Sequence, residues 1–310
     1  MSSQSKTAQQ PVSGKNADKV FKGVAYACGI LILVVLAAVA LFLLFRAWPL
    51  IGGDQKANSA TISNFTGGKA SSFWGYVGPL LFGTVLISAL ALLISFFVSV
   101  GIALFISHYA PKKLATALSY VVDLLAAIPS VIYGLLGILI LNPLMYKMEL
   151  AVFKGSSTHQ YTGGANLISA VLVLALMILP TVINISESAL RAVPSHLKSA
   201  SLALGATKIQ TIFQVILPAA KSGIITAVVL GTGRAIGEAM AITLVSGSSV
   251  NFPLPFNSVR FLTTAIVAEM GYASGLHREV LFTIGLVLFA FIMIINIGLN
   301  SILKKGEKTK

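Results

Sequence analysis

Residues 24–45 read VAYACGILILVVLAAVALFLLF, a run of 22 residues without a charge. A helix needs about 20 mostly apolar residues to cross the hydrocarbon core of a bilayer. Ala38-Val39-Ala40 resembles the cleavage site of a signal peptide, but the apolar run continues to Phe45, beyond the usual signal length. The stretch therefore predicts a retained membrane-spanning helix.

The rest of the chain repeats this pattern. Only 10% of its 310 residues are charged and 56% are hydrophobic, whereas a soluble domain carries about 25% charged residues. Five more apolar runs are found at 77–106, 118–141, 167–186, 222–246 and 280–303. The sequence thus predicts an all-α, polytopic membrane protein with six transmembrane helices, and it excludes a soluble globule.

The basic residues indicate an orientation for these spans. With the N-terminus inside, fourteen Lys and Arg residues lie on the cytoplasmic side and seven on the outer side. This asymmetry follows the positive-inside rule, so both termini are expected to be cytoplasmic. The polar residues 1–23 are predicted to be disordered, 24–303 to form the transmembrane domain, and 304–310 to form a basic tail.

Several kinds of chemistry have no support in the sequence. Cys28 is the only cysteine, and the four histidines are scattered in predicted loops, so no metal site is expected. No phosphate-binding loop of the G-x-x-x-x-G-K-[ST] type is found, so the chain is not expected to hydrolyse ATP. No nucleophile–base arrangement is recognised either, which predicts a protein that is not an enzyme and needs no cofactor.

The segment between the fourth and fifth runs, 191–221, has a different character. Residues 198–218 read KSASLALGATKIQTIFQVILP, which predicts two short amphipathic helices on the cytoplasmic side. Ser195 is expected to cap the first and Gly205 to end it, while Thr207 caps the second and Pro218 follows its end. The small residues of the first helix allow another surface to approach closely, as docking to a partner requires.

This loop resembles the cytoplasmic coupling loop of ABC-importer permeases, whose consensus is E-A-A-x3-G-x9-I-x-L-P. Ser199-Ala200-Ser201 takes the place of E-A-A, Gly205 follows at the same spacing, and Leu217-Pro218 ends the pattern. Residues 123–135 (DLLAAIPSVIYGL) and 231–241 (GTGRAIGEAMA) are similar to the phosphate-specific permeases. Trp48-Pro49-Leu50 and residues 77–84 (VGPLLFGT) favour the C-type subunit.

The resemblance implies a bundle like that of the type I ABC importer permeases and a role in phosphate import. It implies four kinds of partner: an A-type permease subunit, two cytoplasmic ATPase subunits, an extracytoplasmic phosphate-binding protein and the lipid membrane. It further implies that the coupling loop transmits the movement of the ATPases. The residues expected to do so are Ser199, Ala200, Ser201, Gly205, Leu217 and Pro218.

Three ionisable residues lie within the predicted spans. Arg234 and Glu238 are four residues apart in the fifth, and Asp123 lies in the third, which Pro129 interrupts. A charge inside a membrane costs about 2.5–3.5 kcal/mol, so such residues need a partner or a water-filled cavity. One interpretation is a structural Arg234–Glu238 ion pair, and the other is a site for an oxyanion on the translocation path, which the resemblance favours.

Two alternative functions stay open at this point. The chain could be an ABC permease for another oxyanion or small solute, because the loop pattern is shared by the whole superfamily. It could also be an ion-gradient-driven transporter or a channel, although the spacing of the coupling loop argues against that class. We expect a bacterial or archaeal cell membrane as its location.

Overall fold

The computed structural model describes residues 14–53, 55–154 and 159–308, and most of them are helical. In chain order the α-helices in these residues are α1 (Gly14–Gly52), α2 (Gln55–Thr66), α3 (Phe73–Leu104), α4 (Lys112–Ala127), α5 (Ser130–Leu136), α6 (Asn142–Val152), α7 (Leu167–Arg191), α8 (Ser195–Ala203), α9 (Lys208–Thr211), α10 (Leu217–Ala219), α11 (Lys221–Gly237), α12 (Met240–Val245), α13 (Leu262–Glu269) and α14 (Gly275–Lys308). Five-residue π-helical turns extend α3, α5 and α9, at Phe105–Tyr109, Gly137–Leu141 and Ile212–Ile216.

The predicted all-α membrane bundle is confirmed. Within the described ranges, five continuous helical stretches are long and apolar enough to cross a membrane: Lys19–Leu50, Phe73–Tyr109, Ser130–Val152, Leu167–Arg191 and Gly275–Ser301. A sixth crossing is obtained if the pair Lys208–Ala219 and Lys221–Gly237, bent by 64°, counts as one span. The structure therefore has five to six spans.

The first helix begins earlier than predicted. α1 starts at Gly14, so residues 14–23 are helical and not disordered. Extending an existing helix by one residue is far easier than nucleating a new one, and residues 15–22 contain neither Gly nor Pro. Residues 1–13 of the predicted disordered segment lie outside the described part of the chain.

The third predicted span, 118–141, is wrong in its bounds. The helix breaks at Ile128 and Pro129, because proline disfavours the helical conformation in the residue before it and Ile128 is extended (ψ 126°). α4 is a separate helix, and the apolar span runs from Ser130 to Val152, into the predicted outer loop. Asp123 consequently lies on α4, before the span begins.

The fifth predicted span, 222–246, is not a single helix. α11 ends at Gly237, Glu238 is extended (φ −74°, ψ 130°), and α12 restarts at Met240. Three glycines in the last turns of α11 lower its helix propensity by about 1 kcal/mol each relative to alanine. The break separates Arg234 from Glu238.

α7 is the central helix of the bundle. Within its most apolar stretch 61% of residues are buried in the protein, compared with 0% for α1. At its start, the Leu167 and Ile168 N–H groups donate to the carbonyls of Asn257 and Pro255, at 3.1 and 3.2 Å. Its other end leads into the coupling loop. A helix of 25 residues is about 37 Å long, so these two ends lie on opposite sides of the membrane.

Candidate substrate path and coupling surface

Arg234 is a half-buried cation without a hydrogen-bond or ion-pair partner in the described part of the chain. It lies 13 residues after Lys221 on α11, which places it about 20 Å from the start of the helix. No hydrogen bond or ion pair from the described residues reaches its guanidinium. A methyl group built on either Gly233 or Gly237 would meet nothing within 4 Å. Arg234 thus lies beside open space.

Glu238 bonds to the backbone around the break after α11 and not to Arg234. Because α11 ends at Gly237, the i,i+4 ion pair of Arg234 and Glu238, one of the two interpretations of these residues, is not formed. The Glu238 Oε1 atom accepts a hydrogen bond from the Ala241 N–H at 2.9 Å, which satisfies one free donor at the start of α12. The Glu238 carbonyl accepts from the Thr263 hydroxyl at 2.8 Å. These two bonds fix the break between α11 and α12.

Asp123 is exposed on α4 and is held by the central helix. Its Oδ1 atom accepts a hydrogen bond from the Asn184 Nδ2 atom of α7 at 2.8 Å. Across the described residues no direct contact joins Asp123 to Arg234 or to Glu238. Sequence reasoning missed Asn184, although an amide inside the apolar run 167–186 was a visible signal for a polar partner.

The helices on either side of the two breaks, α5 and α12, approach each other closely at Gly134 and at Gly137, in the π-turn that extends α5. A Cβ atom on Gly134 of α5 would lie 2.7 Å from Leu244 Cδ1 and 2.9 Å from Ala241 Cα, so α12 packs directly on this backbone. Of the glycines at 231, 233 and 237 on α11, only Gly231 lies against a neighbouring helix, with Val182 at 3.0 Å. The short helices α5 and α12, each following a break, therefore form one packed unit.

Two further carboxylates, the buried Glu149 and the half-buried Glu269, are both paired. Glu149 is fully buried and contacts His159 Nε2 at 2.8 Å. Glu269 binds both Arg260 and His277, with His277 Nε2 at 2.8 Å. Two of the four histidines, His159 and His277, are therefore bound to carboxylates. Burial alone would lower the pKa of Arg260, but its hydrogen bond with Tyr76 and the charge of Glu269 outweigh burial and raise it.

The turn of the coupling loop matches the local signals of the sequence. Gly205 has a φ of +86° and donates its N–H to Leu202 O at 3.0 Å, while the Ala206 N–H donates to Ser201 O at 3.2 Å. These two bonds are the Schellman motif that ends a helix. Thr207 then forms a capping box with Gln210, as predicted for the start of the second helix.

Other details of the loop differ from expectation. Pro194 and not Ser195 is the N-cap of α8, without a side-chain hydrogen bond, and Pro218 lies inside the last helical turn, α10. The bend follows at Ala220. The Ser201 and Thr211 hydroxyls are 2.9 Å apart and join the two helices. Both lie on the side of the loop that faces the bundle.

The outward side of the loop is small and apolar. Ser199, Ala200 and Gly205 are exposed, and the Leu204 side chain beside them is 88% exposed. Ile209 and Phe213 of the second helix are more than half exposed as well. An exposed patch with several large apolar side chains is typical of a protein-binding site.

Residues 99–306 match the family described as binding-protein-dependent transport system inner membrane component. The chain is 35% identical over 278 residues to the probable ABC transporter permease protein YqgH of Bacillus subtilis, covering 87% of this chain and 86% of the relative. It is 33% identical over 300 residues to the phosphate transport system permease protein PstC 2 of Mycobacterium tuberculosis (93% and 92%). The corresponding protein PstC of Haemophilus influenzae is 31% identical over 303 residues (94% and 95%).

Solved structures agree at the level of the fold. A chain of a bacterial alginate ABC transporter, solved with an alginate pentasaccharide-bound periplasmic protein, has a TM-score of 0.65 at 16% identity, covering 94% of this chain and 96% of that chain. A chain of the inward-facing MetNI methionine ABC transporter has a TM-score of 0.56 at 19% identity, covering 74% and 96%. The sequence matches go further than the fold: because residues 99–306 match the family and the PstC relatives are 31–33% identical over more than nine tenths of the chain, the chain belongs to the binding-protein-dependent transport system inner membrane components, as a non-enzymatic, PstC-type permease subunit of an ABC importer.

Proposed function

We propose that this chain provides the translocation path for inorganic phosphate in an ATP-driven importer. The observation that carries the proposal is Arg234, a half-buried cation on a membrane helix without a hydrogen-bond or ion-pair partner in the described chain. A lone arginine at this depth costs about 2.5–3.5 kcal/mol. Its charge must therefore be compensated by water or an anion in a path, or by a second subunit. The names of the PstC relatives support phosphate as the anion.

Arg234 suits this role chemically. Its planar guanidinium offers paired N–H donors to two oxygens of a tetrahedral anion and stays charged at all physiological pH values. Phosphate near neutral pH also carries a P–OH group, which needs an acceptor. Glu238 follows the open end of α11, and its Oε2 atom, like Asp123 on α4, is assigned that accepting role here. Because neither carboxylate is bound to Arg234, the cation stays free for the substrate.

The coupling loop, 191–221, is assigned to the ATPase. The exposed Ser199, Ala200 and Gly205 let a partner approach closely, and Leu217 and Pro218 precede the 64° bend into α11. A push on the loop would thus reach the helix that carries Arg234. We place both termini and this loop in the cytoplasm of a bacterial or archaeal cell, with 24–303 as the permease domain and 304–310 as a basic tail. The proposed partners are an A-type permease, two ATPase subunits and a phosphate-binding protein.

Transport by the reconstituted complex tests this function. We expect radiolabelled phosphate to enter proteoliposomes only when this chain, its partner permease, the ATPases, the binding protein and ATP are all present. Excess unlabelled sulfate should not compete. Phosphate entry through this chain alone, driven by an ion gradient, would contradict the proposal. Competition by sulfate equal to that by phosphate would point to another oxyanion.

A further inference from the structure

A polar cavity of about 630 Å³ lies at the end of the bundle opposite the coupling loop. Three segments that are distant in the sequence form it: the residue Lys69 before α3, residues 159–162 before α7, and residues 247–258 after α12. The third segment is tied to the start of α7 by the two backbone hydrogen bonds from Leu167 and Ile168. The cavity is therefore fixed to the central helix, on the side from which an importer takes up its substrate.

From this arrangement we propose that the cavity is a weak binding subsite for inorganic phosphate, at the outer entrance of the path. The inference rests on the proposed function, because it assumes that phosphate is the substrate. It assigns to Lys69 the first contact that the chain makes with the anion.

The lining has the chemistry of an oxyanion site. Among the described residues that line it, Lys69 is the only Lys or Arg and none is Asp or Glu, and the other side chains are mainly amides, hydroxyls and His159. The Lys69 Nζ atom donates to Asn251 Oδ1 at 3.0 Å, and Asn251 Nδ2 donates to Ser258 O at 3.0 Å. An ammonium group has three donors, so this chain of bonds positions Lys69 while two of its N–H groups stay available within the described structure.

The nearby negative charge is shielded from the cavity. Glu149 lies behind the lining with a fully buried side chain. It accepts hydrogen bonds from the Thr162 N–H at 2.9 Å and the Thr162 hydroxyl at 3.1 Å, and it contacts His159 at 2.8 Å. His159 and Thr162 both line the cavity, so they stand between this carboxylate and an entering anion.

The cavity is connected to Arg234 through one short helix. Gly247 belongs to the lining, and α12 ends two residues before it. The six residues of α12 cover about 9 Å, and at their other end lie the break at Glu238 and the end of α11. An exposed lysine binds an anion only weakly, which suits an entrance, since a transit site must release its ion to the next one.

The test uses the assembled transporter in nanodiscs without the binding protein. Lys69 and Lys147 are acylated with an amine-reactive ester and quantified by peptide mass spectrometry, in phosphate or in chloride of equal ionic strength. Lys147 is the matched control, because it is exposed on α6 and outside the cavity. We expect phosphate to slow acylation of Lys69 at least threefold and to leave Lys147 unchanged. Asn251→Asp, which puts a carboxylate beside Lys69, should abolish the protection.

Equal acylation rates of Lys69 in phosphate and chloride would overturn the subsite. Protection of Lys69 by the phosphate-free binding protein, without protection by phosphate, would also overturn it. The cavity would then be a protein-docking surface. Phosphate uptake by the same complex, reconstituted with the binding protein and ATP, is measured in parallel. Normal uptake without protection of Lys69 refutes the subsite alone, whereas absent uptake refutes the proposed function.

Discussion

Replacement of Gly205 by alanine tests how much the turn between α8 and α9 contributes to binding of the ATPase. At a φ of +86° an L residue is strained, because its Cβ atom crowds the backbone, at a cost of about 1–2 kcal/mol. A Cβ atom at this position would meet no other atom of the described chain within 4 Å, so the strain is the whole intramolecular effect. A change of one or two kcal/mol shifts an equilibrium about 5- to 30-fold.

We therefore expect Gly205→Ala to weaken association of the ATPase about 5- to 30-fold, measured as the Kd of the purified permease pair for the ATPase in detergent. Gly205→Asn should retain more affinity, since asparagine tolerates the left-handed conformation better than alanine. Gly163→Ala is the matched control. Gly163 also has a positive φ of +68° with open space around it, but it lies near the opposite end of α7.

The control variant should bind the ATPase with unchanged affinity. Wild-type affinity of Gly205→Ala would refute the assignment of this turn to docking. Equal weakening by Gly163→Ala would refute it as well, because the effect would then come from a general loss of stability.

Two further changes test the broken helices, and both are measured by thermal unfolding of the purified protein. Glu238→Ala should destabilise it by about 1 kcal/mol, because the hydrogen bond from Glu238 to the start of α12 is lost, whereas Glu238→Gln keeps an acceptor and should have a smaller effect. An unchanged melting temperature of Glu238→Ala would contradict this capping role. Gly134→Ala should destabilise by about 1–3 kcal/mol because α12 lies against it. Gly78→Ala, with open space around it in α3, should instead be neutral or stabilising by up to about 1 kcal/mol. Equal melting temperatures of the two variants would show that the α5–α12 contact is not tight.

Local signals explain what the sequence could predict. Gly205 and Thr207 end and begin helices through bonds within a few residues, so their roles followed from residue type and spacing alone. The apolar runs likewise predicted the membrane helices, because hydrophobic length decides whether a helix spans a bilayer. In both cases the determining interactions are short-range or come from the solvent.

The predictions that failed depended on contacts between different parts of the chain. The Arg234–Glu238 pair assumed a continuous helix, yet the backbone breaks after Gly237, where a tertiary bond from Thr263 and a local bond from the Ala241 N–H hold the extended conformation of Glu238. Glycine propensity was a signal for this break. The pairing of Asp123 with Asn184 and the cavity at Lys69 join residues far apart in the sequence, which no periodicity reveals.

The charge of Arg234 provides the most direct test of the phosphate path. Uptake of radiolabelled phosphate is compared in proteoliposomes with equal amounts of assembled wild-type, Arg234→Gln and Arg234→Lys transporters. Charge-assisted hydrogen bonds are worth about 1.5–3 kcal/mol, so Arg234→Gln should lose on the order of 10- to 100-fold in uptake rate. Arg234→Lys should recover only part of it, since an ammonium cannot bind two oxygens in parallel. Normal uptake by Arg234→Gln would contradict the account, because phosphate would then cross without this cation.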